Sequence, residues 1–475
     1  MNRSALDQKI RALKLYPRLP AAEVDKLGAL LPTLGAWDLV RINPLVFAQR
    51  FGFDPDVLLD LFIHGAKIGL LDFHFGQICA SCGGVEHQHT RLDAIHSDQI
   101  HCTVCSMTRE AAMDDFIEVS FELSESLGVG RPDPLSGLEA YIRSYRSANL
   151  KSPNLDELGA GQTMMGFLAI QPDEKGKLNA NLEAGLYRLM NFESHSQLEI
   201  TVEGAPVGLE QLVDVDLLTG GFSPAAITLR PGRVVFHVSN RFRAATGVVL
   251  QNGSMFWAIA MPHRGAERRW HPFLTGKAFL NNQSFRELFR IQAWAPDMKL
   301  KIKNLTILFT DLKGSTDMYG RVGDINAYDV VQKHFDLLTE VVRAHHGAMV
   351  KTMGDAIMAT FSNSQEGVLA ALAMVERVHE LNRSQSNELG LKVGVHEGAA
   401  LAVNADERLD YFGQNINLAA RVQGLAEAGE VWVTEAVFDS PGVAEVITAS
   451  RLRSETKMAT LKGISAPTTV YRLYA

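Results

Sequence analysis

The stretch ILFTDLKGST, residues 307–316, decides the fold of the C-terminal part of the chain. Its apolar start is typical of a buried strand, and the polar residues after Asp311 predict the start of a helix. The segments that follow predict helix, hairpin, helix and strand in turn, at residues 326–346, 347–361, 367–382 and 390–403. This alternation predicts an α+β domain of the ferredoxin-like kind over residues 303–475.

Two carboxylates stand out in this domain. Asp311 ends the apolar strand, and Asp355 follows Gly354 in the turn of the predicted hairpin. Two acids placed in this way repel each other unless cations neutralise them, and a nucleoside triphosphate is bound together with Mg²⁺. The backbone amides of Gly314, Ser315 and Thr316, at a predicted helix N-terminus, are suited to phosphate oxygens. Taken singly, Asp311 could be a helix cap and Asp355 a turn residue.

A second polar pair lies in the segment NINLAARV, residues 415–422. Asn417 and Arg421 are four residues apart on a predicted helix and therefore project from one face. An amide and a guanidinium on one face can hold a ribose and neutralise charge on a phosphorus under attack. The alternative for Arg421 is a surface salt bridge.

Together these residues resemble the class III adenylyl and guanylyl cyclases, in particular the modular bacterial enzymes. The resemblance covers residues 303–475 and depends on four motifs: ILFTDLKGST, VKTMGDAIMATF, DYFGQNINLAARV and TLKG. It implies that the chain folds as a class III cyclase and binds two Mg²⁺ or Mn²⁺ ions per active site. By motif, it implies metal binding by Asp311, Asp355 and the carbonyl of Leu312, transition-state binding by Asn417 and Arg421, and triphosphate binding by Lys462.

The resemblance also implies the choice of base. In the family, a lysine four residues before the second metal aspartate and an acid or hydroxyl three residues before the glycine of the following motif select adenine, whereas glutamate and cysteine select guanine. Those positions hold Lys351 and Asp410. A lysine can donate to adenine N1 and an aspartate can accept from its 6-amino group. The family completes each site across a dimer, so the resemblance implies a homodimeric adenylate cyclase that acts on ATP.

The four cysteines of the chain form two pairs, Cys79-x-x-Cys82 and Cys102-x-x-Cys105, separated by nineteen residues. Each pair can place two thiolates on one ion, and two pairs complete a tetrahedral site with no open position. The spacing therefore predicts a zinc ribbon with a structural Zn²⁺ over residues 76–115. A thiol redox sensor is the alternative.

The other N-terminal segments predict two further modules and a linker. Residues 1–75 indicate a winged-helix-like helical module, with Asp54 as N-cap and Pro55 as first helical residue. A DNA-reading helix-turn-helix is disfavoured because that helix carries acids. Short strands separated by turn residues predict a β-sandwich over residues 116–280, which resembles a cupredoxin without copper ligands. Residues 281–302 are predicted as a linker, in which the segment FRELFRIQAWAP could couple the modules to the cyclase domain.

Composition limits the remaining possibilities. The net charge of −8 disfavours a dedicated nucleic-acid surface. No segment approaches the roughly 18 apolar residues of a membrane span, and the N-terminus lacks signal-peptide features, so we expect a cytoplasmic protein. We therefore predict an adenylate cyclase that releases pyrophosphate and is regulated by its N-terminal domains through an unknown ligand or protein. The alternatives are a guanylate cyclase, an ATP-sensing signalling scaffold and a zinc-ribbon transcription factor.

Overall fold

The computed structural model describes twelve stretches of the chain, residues 1–79, 83–89, 99–102, 107–110, 117–150, 163–260, 270–289, 300–314, 323–385, 389–405, 408–464 and 466–474. These residues separate into two compact units. The first, here called the N-terminal unit, takes the described residues up to Leu274. The second, here called the catalytic unit, includes the described residues from Thr275 onward.

The N-terminal unit begins with four helices, α1 (Arg3–Leu13), α2 (Ala21–Leu30), α3 (Pro44–Phe51) and α4 (Pro55–Lys67). The Asp54 side chain accepts hydrogen bonds from the amides of Asp56 and Val57, and Pro55 is the first residue of α4. This confirms the predicted N-cap, because an aspartate satisfies amides that have no partner inside the helix. The winged-helix-like description stays a prediction.

Five strands follow, β1 (Leu71–Ile78), β2 (Val85–His89), β3 (Gln99–Cys102), β4 (Met107–Glu110) and β5 (Ile117–Leu123). The order β2-β1-β5 forms one sheet, and β3 pairs with β4. Every residue of β5 is buried, and Leu123 lies opposite Leu71 on β1. The predicted start of the β-sandwich at residue 116 is therefore wrong. Alternation identified β5 as a strand, but alternation does not specify a partner strand.

The next nine strands are β6 (Met164–Ile170), β7 (Lys175–Leu182), β8 (Gly185–Asn191), β9 (Ser196–Val202), β10 (Gln211–Leu218), β11 (Gly221–Ser223), β12 (Ala226–Leu229), β13 (Gly232–Asn240) and β14 (Thr246–Asn252). They form two sheets, β11-β10-β13-β7 and β12-β9-β8-β14-β6. Apolar side chains of both sheets share one core. Helices α5 (Leu138–Tyr145) and α6 (Gly253–Ala260) flank these strands in sequence. The likeness to a cupredoxin stays a prediction.

The catalytic unit is built on an eight-stranded sheet. Its helices are α7 (Gly276–Leu280), α8 (Gln283–Leu288), α9 (Asp324–Ala344), α10 (Ser364–Gln385), α11 (Gln414–Gln423), α12 (Glu435–Phe438) and α13 (Val443–Ala449). Its strands are β15 (Leu300–Lys313), β16 (Ala348–Met353), β17 (Ala356–Phe361), β18 (Gly390–Ala405), β19 (Arg408–Phe412), β20 (Val431–Thr434), β21 (Arg453–Ala459) and β22 (Thr468–Tyr474).

The strand order is β16-β17-β15-β18-β20-β22-β21, and β19 pairs with β18. With α9 after β15 and α10 after β17, the first four strands have the split βαβ arrangement of the predicted ferredoxin-like fold. Side chains of α9 and α10 share a core with the sheet. The prediction of an α+β domain is confirmed.

The predicted linker at residues 281–302 is different in the structure. Helices α7 and α8 belong to the catalytic unit, and β15 already begins at Leu300. The buried rings of Phe279 and Phe285 lie 4.2 Å apart. Phe279 and Phe285 lie in a segment that is short and partly polar. A sequence of this kind is typical of a linker.

Candidate active site

The two aspartates come to the same end of the sheet. Strands β15 and β17 are antiparallel, with Phe309 opposite Met358, so the end of β15 lies beside the turn between β16 and β17. The amide of Ile357 donates to the Thr310 hydroxyl at 3.2 Å. Gly354, with φ +65°, provides the left-handed conformation of that turn. The structure therefore brings Asp311 and Asp355 close together, as predicted.

This end of the sheet has an excess of negative charge. Burial, together with the neighbouring charge of Asp355, raises the pKa of Asp311, and Lys392 on β18 only partly opposes this effect. Oδ2 of Asp355 is buried and has no hydrogen-bond partner among the residues that the structure describes. A buried carboxylate oxygen without a donor is costly unless a cation completes it. Hard oxygen ligands of this kind fit Mg²⁺ or Mn²⁺.

The other predicted phosphate and metal contacts are only partly described. Leu312 is buried opposite Leu391 on β18, and a metal contact from its carbonyl stays a prediction. Gly314 has φ +79° and follows β15 directly. Ser315 and Thr316 lie outside the described residues. Lys462 is exposed between β21 and β22, and its contact with a triphosphate stays a prediction.

Helix α11 carries the predicted pair Asn417 and Arg421 and lies very close to β18. A Cβ atom at Gly394 would come within 2.2 Å of the Gln423 amide nitrogen, and one at Gly398 within 2.5 Å of the Asn415 side chain. These glycines are four residues apart on one strand and therefore face the same side. They allow the helix to approach the sheet more closely than any side chain would permit.

Hydrogen bonds fix the start of the same helix. The Asn415 amide donates to the Ala399 carbonyl at 2.7 Å, and its oxygen lies 3.1 Å from Nε2 of His396. Nδ1 of His396 lies 2.9 Å from the Thr434 hydroxyl. Burial lowers the pKa of His396, so this anchor is uncharged at neutral pH. Sequence reasoning missed this support for α11.

Asn417 and Arg421 are exposed on α11. Within the described part of the chain, neither side chain makes a hydrogen bond or an ion pair, so Arg421 is not part of a surface salt bridge there. A rigid helix therefore presents an amide and a guanidinium that remain available to a ligand or to a second chain.

Lys351 and Asp410 are far apart in sequence but meet in the fold. Lys351 Nζ lies 2.6 Å from Asp410 Oδ2, and their side chains are 38% and 19% exposed. The other Asp410 oxygen accepts from the amide of Tyr411 at 2.8 Å. Because the pair is partly open to solvent, separating it costs little. The two side chains can therefore act on one ligand group.

His334 on α9 was not predicted as part of the site. Its side chain is fully buried, and in the described ranges neither ring nitrogen has a hydrogen-bond partner. Burial lowers its pKa to about 4, against the opposing charge of Asp355. The ring is therefore neutral at pH 7. A lone histidine among apolar helix positions gives no sequence signal for such burial.

The predicted zinc ribbon is described only in part. Cys79 and Cys102 are both buried, and the amide of Gly83 donates to the Cys79 carbonyl at 2.8 Å. Cys82 and Cys105 lie outside the described residues. Among the residues that are described, no three His, Cys, Asp or Glu side chains group around a common metal position. Structural zinc thus stays a prediction.

Comparisons with known proteins agree with this geometry. Residues 298–471 match the adenylate and guanylate cyclase catalytic domain, and residues 8–287 match DUF5939, a family of unknown function. The DUF5939 match spans the three modules that we predicted separately. No helix in the described ranges has both the length and the apolar character that crossing a membrane requires.

Individual relatives match a part of this chain. Adenylate cyclase 1 of Rhizobium meliloti is 29% identical over 138 residues, which is 26% of this chain and 21% of that protein. Serine/threonine-protein kinase pkn2 of Myxococcus xanthus is 33% identical over 140 residues, which is 29% of this chain and 16% of that protein. The crystal structure of the adenylyl cyclase CyaB from P. aeruginosa is 21% identical and covers 38% of this chain and 96% of that one, with a TM-score of 0.34.

The chain thus spans about a fifth or less of the length of these two curated relatives. The DUF5939 match covers more than half of the present chain, and the cyclase match covers the unit that holds both aspartates, Asn417 and Arg421. The protein belongs to the DUF5939 family and carries a class III adenylate and guanylate cyclase catalytic domain at its C-terminal end.

Proposed function

We propose that this protein is an adenylate cyclase that converts ATP to 3′,5′-cyclic AMP and pyrophosphate. The observation that carries the proposal is the Asp311 and Asp355 site, where a buried carboxylate oxygen has no partner in the described chain. It lies in a domain that matches the cyclase family, and relatives from Rhizobium meliloti and Anabaena cylindrica are named adenylate cyclases. We also propose a cytoplasmic location, where ATP is available as the substrate.

In this proposal, the protein residues divide the work of ring closure. Asp311 and Asp355 would hold two divalent ions, which would lower the pKa of the 3′-hydroxyl and neutralise charge on the triphosphate. Asn417 orients the ribose, and Arg421 neutralises the negative charge that develops around the α-phosphorus. The 3′-hydroxyl gives its proton to solvent, and its oxygen forms the new bond to the α-phosphorus. The bond between that phosphorus and the oxygen bridging to the β-phosphate breaks, so pyrophosphate leaves.

Lys351 and Asp410 are proposed to select the base. Adenine accepts at N1 and donates from its 6-amino group, which complements an ammonium and a carboxylate. Guanine carries a donor at N1 and an acceptor at O6, so both contacts would be mismatched. The 2.6 Å distance between the two side chains supports this proposal, because it places them within reach of neighbouring atoms on one base edge.

We further propose that two chains complete each active site. Asn417 and Arg421 are exposed and make no hydrogen bond within the described chain, which suits a role across an interface. Complementation tests this. An equal mixture of Asp355→Ala and Arg421→Ala chains should regain about a quarter of wild-type activity, because half of the random dimers contain one intact site. No recovery after subunit exchange has been verified would contradict a shared site.

A direct assay tests the proposed reaction. Purified chain is incubated separately with ATP and GTP in the presence of Mn²⁺ or Mg²⁺, and cyclic nucleotides are separated by chromatography. We expect cyclic AMP as the main product. Predominant cyclic GMP would instead favour a guanylate cyclase. ATP binding without cyclic product, at concentrations at which the chain is dimeric, would favour an ATP-sensing scaffold.

The DUF5939 region is proposed to regulate this activity and to hold one structural Zn²⁺ at its four cysteines. Four thiolates would form a closed tetrahedral site without a catalytic position. Elemental analysis of purified chain should find one zinc per chain, and Cys79→Ser should release it and lower the thermal stability of the N-terminal unit. Zinc-free protein with a reversible disulfide would favour the redox sensor instead.

A further inference from the structure

Helices α7 and α8, with the residue after them, form a segment that we name the coupling hairpin, residues 276–289. It is anchored in the catalytic sheet. The Thr360 hydroxyl on β17 donates to the Asn281 side-chain oxygen at 2.6 Å, and both residues are fully buried. Glu287 on α8 forms an ion pair with Arg343 on α9 at 2.7 Å. The hairpin is therefore held at the residue that caps α7 and at α8.

The coupling hairpin contacts the strand that carries Lys351. Pairing between β16 and β17 shifts register between Met349 and Lys351, which marks a bulge. At this position the Met349 amide donates to the Gln283 side-chain oxygen at 2.8 Å, and the Gln283 nitrogen donates to Glu287 at 3.0 Å. A bulge changes the direction of the side chains that follow it. Gln283 thus stabilises the bulge that directs Lys351.

The same helix also contacts the strand that carries Asp410. Nη1 of Arg286 donates to the Leu409 carbonyl at 3.0 Å, and its guanidinium carbon lies 5.2 Å from the centre of the Tyr411 ring. Nε of Arg286 donates to the Leu280 carbonyl at 2.9 Å, which fixes the side chain to its own hairpin. Arg286 therefore holds both sequence neighbours of Asp410.

Strands β16 and β19 are suited to this control because, among the strands that the structure describes, each pairs with a single neighbour. Backbone groups on the open side of such a strand are available to side chains. The short helix α8 forms one hydrogen bond with β16 and one with β19. A shift of α8 would therefore change the positions of Lys351 and Asp410 relative to each other. The DUF5939 match ends at residue 287 and therefore includes all of this helix except its last residue, although the helix lies in the catalytic unit.

We propose that Gln283 and Arg286 are positioning residues that set the geometry of Lys351 and Asp410, so that the end of the DUF5939 region controls how tightly and how selectively the base is bound. The proposal rests on the proposed function, in which this pair recognises adenine. It adds to that function two residues outside the site that set the geometry of the base-binding pair.

The test uses the full chain and measures nucleotide selectivity without turnover. A fluorescent ATP analogue is displaced by 3′-deoxy-ATP or 3′-deoxy-GTP, which lack the attacking hydroxyl, in the presence of Mn²⁺. We expect Arg286→Ala to lower the preference for the adenine competitor about tenfold, a change typical of one misplaced hydrogen bond. Arg286→Lys should restore part of that preference, because it keeps one charged donor but not the guanidinium fork.

Lys277→Ala is the matched control. Lys277 lies on the same hairpin, but its Nζ donates at 3.2 Å to the carbonyl of Asn304, seven residues before Asp311 on β15. Its removal should leave the preference unchanged. Gln283→Ala provides a second variant in case Arg286→Ala does not fold, and we expect it to lower the preference in the same direction.

The outcomes separate this inference from the proposed function. Wild-type protein that prefers 3′-deoxy-ATP, with unchanged preference in folded Arg286→Ala and Gln283→Ala, overturns the positioning role and leaves base selection intact. An equal loss in Lys277→Ala also overturns it, because the effect would then belong to the hairpin in general. Wild-type protein without any preference contradicts base selection by Lys351 and Asp410 and removes the basis of this inference.

In turnover assays of wild-type enzyme and the Arg286 variants, we expect the change mainly in KM for ATP, with kcat less affected, because the metal and transition-state residues keep their contacts. A loss confined to kcat with an unchanged KM would contradict a role at the base.

Discussion

Acids withdrawn from water occur in both units, and their surroundings differ. In the N-terminal unit, Glu118 accepts from the Ser147 hydroxyl and from the Asn149 amide at 2.9 Å, and Arg41 lies 3.6 Å from its other oxygen. Glu122 contacts His74 at 2.7 Å and the Arg131 guanidinium. Both glutamates line a cavity of about 510 Å³. These acids are neutralised by the protein itself.

The acids of the catalytic unit lack this compensation. Asp355 has a buried oxygen without a partner in the described chain, and the pKa of Asp311 is raised by burial and by Asp355. For Glu122, burial alone would also raise the pKa, but contacts with His74 and Arg131 hold it below its usual value. Burial alone therefore does not identify a functional acid. A buried acid without a compensating partner in the protein does indicate a functional site, because a ligand must then supply the compensating charge.

The largest change in stability is expected in the N-terminal unit, where partners in the protein neutralise the buried acids. Glu118→Ala removes a buried carboxylate and leaves the half-buried Arg41 without its counter-charge, and we expect the free energy of unfolding of the N-terminal unit to fall by about 3–5 kcal/mol. Scanning calorimetry of the full chain measures this change. Asp214→Ala removes an exposed partner of Lys175 and should change stability little. Equal effects of the two substitutions would contradict the importance of burial.

The next effect concerns activity without stability. Arg421→Ala removes an exposed side chain with no protein partner in the described ranges, so the thermal midpoint should not change. Turnover of ATP should fall by roughly 10²- to 10³-fold, as for other transition-state donors. Arg377→Ala, which removes an exposed guanidinium 3.7 Å from Glu380 on α10, is the control and should keep full activity. A matching loss of stability in Arg421→Ala would indicate a structural role.

The smallest expected effect is a shift of the thermal midpoint that has opposite signs in two amide substitutions. Glu122→Gln should lower the thermal midpoint at pH 7, because it removes a charge that His74 and Arg131 stabilise. Asp311→Asn should raise the midpoint of the catalytic unit, because it removes a charge that burial and Asp355 oppose. Thermal unfolding without added metal measures both. A fall in both variants would contradict the comparison.

The same pair responds oppositely to pH. The contribution of Glu122 is present above its ordinary pKa of 4.5 and is lost as the pH falls, because its folded-state pKa is lowered. The penalty from Asp311 is absent below its ordinary pKa of 3.8 and develops as the pH rises, because its folded-state pKa is raised. In acid, the thermal midpoint of each amide variant should converge with that of wild type. At higher pH, the midpoint of Glu122→Gln should lie below that of wild type and the midpoint of Asp311→Asn above it.

Local sequence patterns predicted much of the candidate site. The Asp54 cap, the turn at Gly354 and Asp355, and the placement of Asn417 and Arg421 on one helix all depend on neighbours within four residues. The meeting of Lys351 and Asp410, 59 residues apart, followed from a family resemblance and not from the local pattern.

Long-range pairing could not be predicted in this way. Strand β5 pairs with β1, and the buried bond between Asn281 and Thr360 joins residues 79 positions apart. Alternation of apolar residues shows that a segment is a strand, but it does not show which strand lies beside it. The close approach of α11 at Gly394 and the burial of His334 also depend on tertiary packing alone.

We claim that the uncompensated acids of the catalytic unit hold the metals that support cyclisation of ATP. The most direct measurement is cyclic AMP formation from ATP and Mn²⁺ by wild-type chain and by Asp355→Asn, with folding of both verified by thermal unfolding. We predict cyclic AMP from wild type and a loss of at least about 10²-fold in the folded variant. Wild-type rates in Asp355→Asn, or no cyclic AMP from dimeric wild-type chain, would contradict the claim.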